Sequence, residues 1–319
     1  MSPLRSVSFH VGALVLGGLS AAFAWTHEKT PMTAYETGAT VWTGRPADID
    51  RIVYETPSRR VTLESKKDGG SRWFLGSSQT LPAPSPVKSF PAISSVTKLT
   101  ESLAPLRATR SFGKLDNART VELGLDKHDT SATVVIGGKE HKLWLGGPSP
   151  GATDRYVLED GTSQVYAVKV EPFQDLEAGD SRLAEHDQHD FRELDIASAR
   201  IIVRDKSRTV LFTGPDAKKF WADPADREKA DDTTNNFMQK IDRLRPTDYV
   251  EKAPANAALV TRIEYTGSAK KKGYFEMVKA PGEGGKSEYW MTTEYLHLYG
   301  KLVQTLGEQI EQDIETVVK

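Results

Sequence analysis

The residues best suited to chemistry are two histidines spaced three apart among carboxylates, in the run His186-Asp187-Gln188-His189-Asp190. Imidazole nitrogens and carboxylate oxygens are common zinc ligands, so this run is a candidate metal site. A closed zinc site needs further ligands that converge from elsewhere, and the sequence does not identify them. The run also lies in a strongly polar stretch, which favours a solvated linker. We therefore predict no bound metal.

A second candidate is the glycine-rich run Gly146-Gly147-Pro148-Ser149-Pro150-Gly151. Backbone N–H groups in such runs can cradle an anion. This run lacks the Gly-Lys-Ser/Thr ending of a nucleotide-binding loop, and its two prolines remove donors. We therefore predict a plain loop between strands.

Composition narrows the chemistry further. The chain has no cysteine, which excludes disulfides, thiolate metal sites, cysteine nucleophiles and a lipid-modified cysteine. Its formal net charge is −2, whereas nucleic-acid binders usually carry a concentrated basic field. We predict a protein that is not an enzyme, with no catalytic residues, no cofactor and no nucleic-acid partner.

The N-terminal stretch from Ser6 to Trp25 is apolar and contains no Asp, Glu, Lys or Arg. At about 1.5 Å per residue it just spans a hydrocarbon core of about 30 Å. We predict a single-pass anchor over residues 1–29. Arg5 precedes the span and favours a cytoplasmic N-terminus, which places the bulk of the chain on the outer side of the cytoplasmic membrane. A cleaved signal peptide is the open alternative, because Ala22-Phe23-Ala24 has the form of a cleavage site.

The residues predicted to lie in the bilayer share a large apolar side chain. They are Val7, Phe9, Val11, Leu14, Val15, Leu16, Leu19, Phe23 and Trp25.

Polar residues 30–47 show no periodicity, and we predict a tether there. Residues 48–180 then read as a first α+β unit. Its strands flank a proline-rich segment that ends at Pro91, predicted to be a loop, and a helix carrying Leu99, Leu103 and Leu106. The Gly137-Gly138 and Asp160-Gly161 pairs predict tight hairpin turns.

The same order of elements returns in residues 196–319, after a polar connector at residues 181–195. Leu99 aligns with Phe237 and Leu103 with Ile241, without a gap. Strands grouped apart from helices indicate an α+β fold. We therefore predict a tandem repeat of mostly antiparallel sheets, each packed by helices, preceded by one N-terminal transmembrane helix.

A long C-terminal helix is predicted from an apolar stripe that runs from Tyr295 to Val317. Packing of this stripe on its own sheet is the first expectation. The helix is long for a small unit, so part of it can also reach a partner. The residues predicted as possible partner contacts are Leu298, Leu306, Ile310, Ile314 and Val317.

Several local strings resemble the bacterial family called domain of unknown function 4340. They include Trp73-Phe74, Leu123-Gly124-Leu125-Asp126, Leu145-Gly146-Gly147 with Arg155-Tyr156-Val157, Val165-Tyr166 and Ser181-Arg182-Leu183. The resemblance covers residues 48–203 well and the second unit by pattern. It implies a membrane-tethered extracytoplasmic protein encoded near gliding-motility-type ABC transporters. Such a protein would be an accessory subunit that contacts the permease and ATPase subunits. The family has no established catalytic residues to carry over.

Three functions remain open on the sequence. The first is the anchored interaction module, with the lipid bilayer and the transporter subunits as partners. The second is a periplasmic small-molecule or glycan-binding domain, with a cleft between the repeats rimmed by Trp144, Trp221 and Trp290. The third, and least supported, is a hydrolase of envelope polymers.

Overall fold

The computed structural model describes residues 38–68, 70–151, 153–215, 218–268 and 270–319. The predicted anchor over residues 1–29, with all its bilayer-facing residues, lies outside this part of the chain. Within the described part, no helix is long and apolar enough to cross a membrane.

Two antiparallel sheets make up most of the described chain, one of ten strands and one of nine. Each pairing between neighbouring strands is antiparallel. The first sheet contains β1 (Thr40–Trp42), β2 (Ile49–Thr56), β3 (Arg59–Asp68), β4 (Ser71–Thr80), β5 (Val87–Ala92), β6 (Leu106–Gly113), β7 (Ser131–Ile136), β8 (Lys139–Pro148), β9 (Asp154–Glu159) and β10 (Val165–Lys169). The second contains β11 (Ser198–Val203), β12 (Lys206–Thr213), β13 (Phe220–Asp223), β14 (Asp226–Ala230), β15 (Asp248–Val250), β16 (Ala258–Thr266), β17 (Lys271–Pro281), β18 (Ser287–Thr293) and β19 (Tyr299–Lys301).

Helices accompany each sheet. The first has α1 (Ser94–Leu103), α2 (Asn117–Glu122), α3 (Glu171–Ala178) and α4 (Asp180–Leu183), and the second has α5 (Asp232–Asp242) and α6 (Gln304–Val317). Short 3-10 turns occur at Pro46–Asp48, Glu193–Asp195 and Glu283–Gly285. We call the first sheet with α1 to α4 the first half, and the second sheet with α5 and α6 the second half.

The two sheets have the same strand order. The first runs β6-β10-β9-β8-β7-β2-β3-β4-β5, with β1 added outside β6, and the second runs β15-β19-β18-β17-β16-β11-β12-β13-β14. Strands β2 to β10 of the first half therefore correspond, in chain order, to strands β11 to β19 of the second half, and corresponding strands occupy the same position in their sheets. The helix α1 before β6 corresponds to α5 before β15, and α3 after β10 corresponds to α6 after β19. The predicted α+β architecture with two mostly antiparallel sheets is confirmed, and the shared order shows the repeat.

Each half has its own apolar core between its sheet and its helices. In the first half, Leu99 and Leu103 of α1 and Phe173 of α3 join the inward side chains of the strands. In the second, Phe237 of α5 and Ile310 of α6 do the same. Burial of one large apolar side chain stabilises a fold by about 1.5–3 kcal/mol, so these contacts suffice to hold the helices on their sheets.

Local sequence explains where several elements begin and turn. The carboxylate of Asp231 accepts the backbone N–H of Thr234 at 3.0 Å and caps α5. Gly137 and Gly138 have φ of +56° and +79° in the turn between β7 and β8, a conformation that favours glycine.

The predicted tether at residues 30–47 is wrong for its described C-terminal part. Residues 40–42 form β1, which pairs with β6, and Trp42 is buried and donates its Nε1–H to the Leu103 carbonyl at 2.7 Å. Two adjacent buried residues, Val41 and Trp42, give no alternation to detect in so short a strand.

Three further predictions need correction. Pro91 lies in β5 and not in a loop. Proline has no backbone N–H to donate, but β5 is the last strand of its sheet, so no further strand on its outer side requires that hydrogen bond. Helix α1 ends at Leu103 and Leu106 starts β6, while α6 begins at Gln304 and Tyr299 belongs to β19. In both places a strand continues the apolar spacing of a helix.

Candidate functional site: the junction between the halves

The chain crosses from one half to the other through two exposed residues, His186 and Asp187. Immediately before them, Glu185 is bound to the first half, where its backbone N–H donates to the Pro91 carbonyl at 2.7 Å. Immediately after them, Gln188 is bound to the second half. Glu185 and Gln188 are only 5% and 7% exposed, so the predicted solvated linker is wrong at Glu185 and Gln188.

The Glu185 carboxylate joins three parts of the molecule. Its Oε2 accepts the Ser94 backbone N–H at 3.1 Å and the Ser94 hydroxyl at 2.6 Å, at the start of α1. The same oxygen accepts the hydroxyl of Tyr295, from the second half, at 3.2 Å. Its Oε1 accepts the backbone N–H groups of His186 and Asp187 at 3.0 and 3.1 Å. One carboxylate thus holds the crossing residues and both halves.

This arrangement shifts the protonation of both side chains. Burial alone would raise the pKa of the Glu185 carboxyl, but hydrogen bonds from Ser94, Asp187 and His186 outweigh it and hold the pKa below its usual value. Burial, together with the neighbouring Glu185 carboxylate, raises the pKa of Tyr295 from 10.0 to about 12. At neutral pH the pair is therefore a charged acceptor facing a neutral hydroxyl donor.

An apolar contact lies beside this polar pair. Trp73 and Leu75 of β4 pack against Leu298 of the second half, with Tyr249 of β15 beside them. The His297 ring stacks on Trp73 with centroids 5.0 Å apart and planes 10° from parallel. The two sheets meet here along β5 and β15, which are edge strands in their own sheets.

Gln188 fixes the other side of the crossing to the second half. Its side-chain amide donates to the carbonyls of Ile241, Asp242 and Leu244 at 2.8, 3.1 and 3.1 Å, which satisfies free carbonyls at the end of α5. Thr293 donates its hydroxyl to the Gln188 carbonyl at 2.7 Å. The residues that follow Thr293 are those that contact the first half.

The histidine-rich run does not form a metal site in the part of the chain that the structure describes, where no group of three or more His, Asp or Glu side chains could hold an ion. Nδ1 of His189 lies 2.8 Å from Oε1 of Glu294, and its ring stacks on Phe191. His186 is exposed. The run instead supplies the crossing and its contacts, which requires tertiary packing that spacing alone does not reveal.

The first three residues of the glycine-rich run end β8, so the predicted loop is wrong for Gly146, Gly147 and Pro148; the last three lie in the connection to β9, as predicted. A Cβ on Gly146 would clash with the Leu123 carbonyl oxygen and lie 2.9 Å from Cγ of Leu125. The N–H of Gly147 donates to the same carbonyl at 2.8 Å. Two strings that carry the family resemblance therefore pack directly on each other.

The residues Gly147-Pro148-Ser149-Pro150-Gly151 also have the Gly-x-Ser-x-Gly spacing of a serine-hydrolase nucleophile elbow. An elbow places its serine on a sharp turn between a strand and a helix. Ser149 lies between two strands, and its N–H donates to the Asp154 carbonyl at 2.8 Å. The geometry is that of a hairpin connection.

Four of the five predicted partner contacts are wrong. Ile310, Ile314 and Val317 are buried in the core of the second half, where they hold α6 on its sheet. Leu298 is buried at the junction. Leu306 is 40% exposed and stays a prediction.

The predicted tryptophan-rimmed cleft is also wrong. Trp221 is buried in the second-half core, where its ring lies 4.8 Å from that of Phe212. Trp290 is buried in a separate cluster with Val278 and Ala280. Trp144 is half-buried on the first sheet, so the three rings share no cleft.

Trp144 belongs to a face of the first sheet that we call the open face. It carries the half-buried residues Val53, Thr133, Val135, Lys142 and Trp144, and lies opposite the face that packs on α1 and α3. Lys142 Nζ lies 3.8 Å from the Trp144 ring centroid, and Trp144 Nε1 donates to Asp160 at 3.0 Å. The ring is therefore held in place at the surface.

The model of a protein family described as Domain of unknown function (DUF4340) matches residues 80–262, more than half of the 319-residue chain. The match begins at the end of β4 and extends to β16, so it includes the crossing residues and enters the second half. Trp73-Phe74 lies outside it. Searches of curated proteins and of solved structures found no match.

Proposed function

The chain belongs to the DUF4340 family, and from this membership we propose that it is a membrane-anchored, extracytoplasmic interaction module. In this proposal it is an accessory subunit of a gliding-motility-type ABC transporter complex in a bacterial inner membrane. It performs no catalysis itself and contacts the permease and ATPase subunits. Residues 1–29 supply the anchor.

The observation that carries the proposal is the open face. An antiparallel sheet with helices on one side leaves the other side to water or to a partner. Here that side presents a half-buried tryptophan, a neighbouring lysine and β-branched residues on adjacent strands. Aromatic residues fixed at a surface are frequent in the centre of protein interfaces.

The junction supports the same proposal. The two edge strands β5 and β15 pack together, and the Glu185 carboxylate bonds to both halves. While the halves are docked, these contacts set the direction of the open face relative to the second half. The open face itself belongs to one sheet whose strands are paired, so it loses little conformational entropy on binding, which favours an interaction role.

Affinity purification of the full-length, C-terminally tagged protein from detergent-solubilised membranes tests the proposal. We expect an ABC permease and ATPase to co-elute in constant ratio. Trp144→Ala should weaken their recovery, because loss of a central interface aromatic commonly costs about 2 kcal/mol, or about 30-fold in affinity. Leu259→Ala is the control, since Leu259 is 45% exposed but lies in the second half.

Two results would count against the proposal. If the native protein elutes without transporter subunits, the accessory role is wrong. If the subunits co-elute equally well with Trp144→Ala, the open face is not the contact surface. Resistance of the native protein to alkaline carbonate extraction separately tests the anchor.

A further inference from the structure

We infer that the two halves are rigid bodies held closed by a latch, and that they open about the two-residue hinge His186-Asp187 when the Glu185 carboxylate is released. The latch consists of Tyr295, His297 and Leu298 of the second half and their contacts on the first. This inference concerns how the halves move and does not depend on the proposed function.

The hinge is defined by what is bound on either side of it. Glu185 is tied to Pro91 and Ser94 of the first half, and Gln188 is tied to the last carbonyls of α5 in the second. Only His186 and Asp187 lie between these anchors, and both are exposed. Hinges are commonly a few residues at the ends of elements. Rotation here would leave the strands and helices of each half packed together, and would remove Tyr249 of the second half from its contact with the first-half core.

The latch is small in comparison with the cores. Its buried apolar part consists of Trp73, Leu75 and Leu298, whereas each half has a much larger cluster of its own. Contacts between domains of one chain permit relative motion unless they are large and hydrophobic. Around this apolar part lie the half-buried Ile93 and Tyr249, the contact between β5 and β15, the ring stack and the hydrogen bonds.

The backbone of the latch adds a second, independent observation. His297 has φ of +59°, in the left-handed region that is uncommon for residues other than glycine. Such a conformation persists where surrounding contacts hold it, and it is concentrated in switch regions and binding sites. The Trp73 stack and Asp68, whose Oδ2 lies 3.4 Å from His297 Nδ1, are first-half groups that hold this residue.

Glu185 couples the hinge to the latch. Oε1 accepts the N–H groups of both hinge residues, and Oε2 accepts Ser94 from one half and Tyr295 from the other. Loss of the carboxylate therefore frees the backbone of the hinge and the polar part of the latch in one step. No other carboxylate in the described residues bonds to both hinge N–H groups.

Spin-label distance measurements on the full-length protein in detergent test the inference, and the cysteine-free sequence makes the labelling specific. One labelled pair spans the halves, at Glu140→Cys and Arg227→Cys. Two pairs lie within single halves, at Lys98→Cys with Glu140→Cys and at Arg227→Cys with Lys252→Cys. All four positions are exposed.

The variant Glu185→Gln with Tyr295→Phe should raise the ratio of open to closed molecules at least about tenfold, because it removes hydrogen bonds to a buried charge. We expect a second, longer and broader distance between the halves, with unchanged distances within each half. Glu122→Gln with Tyr156→Phe makes the same chemical changes away from the junction and should leave all three distances unchanged.

Two outcomes would overturn the inference. An inter-half distance that stays single and unchanged in the latch variant would show that Glu185 and Tyr295 do not hold the halves together. Broadening of the distances within a half would show that the contacts belong to the fold of that half and that the halves do not move as bodies.

Discussion

The hydroxyl of Tyr295 in the second half donates to Oε2 of Glu185 at 3.2 Å, and the same oxygen is bound to Ser94 of the first half. The side chains come from opposite sides of the crossing and are 110 residues apart in the chain. The bond therefore depends on the relative placement of two sheets, each with a complete core. The presence of this hydrogen bond therefore reports whether the two halves are docked.

Replacement of this pair should give non-additive losses of stability. Tyr295→Phe removes one donor to a carboxylate and should cost about 1–2 kcal/mol in the free energy of unfolding. Glu185→Gln should lower the free energy of unfolding by about 2–3 kcal/mol. The NH2 group of glutamine is a donor, so it cannot accept the N–H and hydroxyl groups that the carboxylate oxygen accepts. The double variant should cost less than the sum, since the two changes share one bond.

Urea unfolding of the four proteins measures this cycle. Tyr156→Phe is the matched control, because it removes a half-buried tyrosine hydroxyl on β9, away from the junction. Losses that add within about 0.3–0.5 kcal/mol would show that the two side chains do not interact.

The contribution of Glu185 should disappear in acid. Its pKa in the folded protein is below its usual 4.5 because hydrogen bonds to the carboxylate outweigh burial. A carboxyl whose pKa falls on folding stabilises the fold above its unfolded-state pKa, and this contribution is lost as pH falls through the folded-state value. The groups that face it are Ser94, Tyr295 and its own neighbours His186 and Asp187.

Thermal unfolding of the native protein and of Glu185→Gln, measured from neutral pH downward, checks this dependence. Other carboxylates titrate in both proteins, so the difference between the two melting temperatures isolates Glu185. We expect the difference to be constant above pH 4.5 and to narrow below it. A difference that widens in acid would contradict the assignment.

Short-range chemistry made much of the fold predictable. The turns at Gly137-Gly138 and Asp160-Gly161 follow from glycines that tolerate the positive φ found there. The alignment of Leu99 with Phe237 also predicts two equivalent buried helix positions, which are 2% and 1% exposed. These features depend on a few neighbouring residues or on one helical period.

Features that depend on packing between distant segments were not predictable in this way. The strand β5 contains Pro91, and it forms because it lies at a sheet edge, a position that sequence does not mark. Glu185 and Gln188 read as polar linker residues because the donors and acceptors that bury them lie on α1, α5 and the turn after β18. The partner-contact stripe failed because its apolar spacing is the same whether a helix faces its own sheet or another protein.

Gly146 should be far less tolerant of substitution than its neighbour Gly147. A Cβ at position 146 would clash with the Leu123 carbonyl oxygen, whereas at position 147 the nearest atom is that same oxygen at 3.6 Å, an ordinary contact. We expect Gly146→Ala to destabilise the protein by about 1–3 kcal/mol through overpacking, and Gly147→Ala to change stability by less than about 1 kcal/mol.

Urea unfolding of the two alanine variants makes this comparison directly, because both replace a glycine in the same strand. Equal losses would show that the contact between residues 123–125 and the end of β8 is not tight. A larger loss at Gly147 than at Gly146 would contradict the close approach at Gly146, because alanine at 147 keeps the backbone N–H that donates to Leu123.

The exposed edge of the second sheet should resist self-association because of its charges. The strand β14 has the sequence Asp-Arg-Glu-Lys-Ala, all five residues are exposed, and it forms the outer edge of the nine-stranded sheet. Charged side chains on edge strands prevent pairing with the edge of another molecule. The matching edge in the first half, β5, is covered by β15 and carries buried Phe90, Pro91 and Ala92.

Arg227→Val combined with Glu228→Val removes one charge of each sign and raises the strand propensity of this edge. We expect concentration-dependent self-association in detergent, measured by size-exclusion chromatography with light scattering. Arg227→Gln combined with Glu228→Gln makes the same change in charge while keeping polar side chains, and should remain at the native mass. If the valine variant also keeps the native mass at every concentration, then the edge is protected by its geometry, because the charges have been removed without effect.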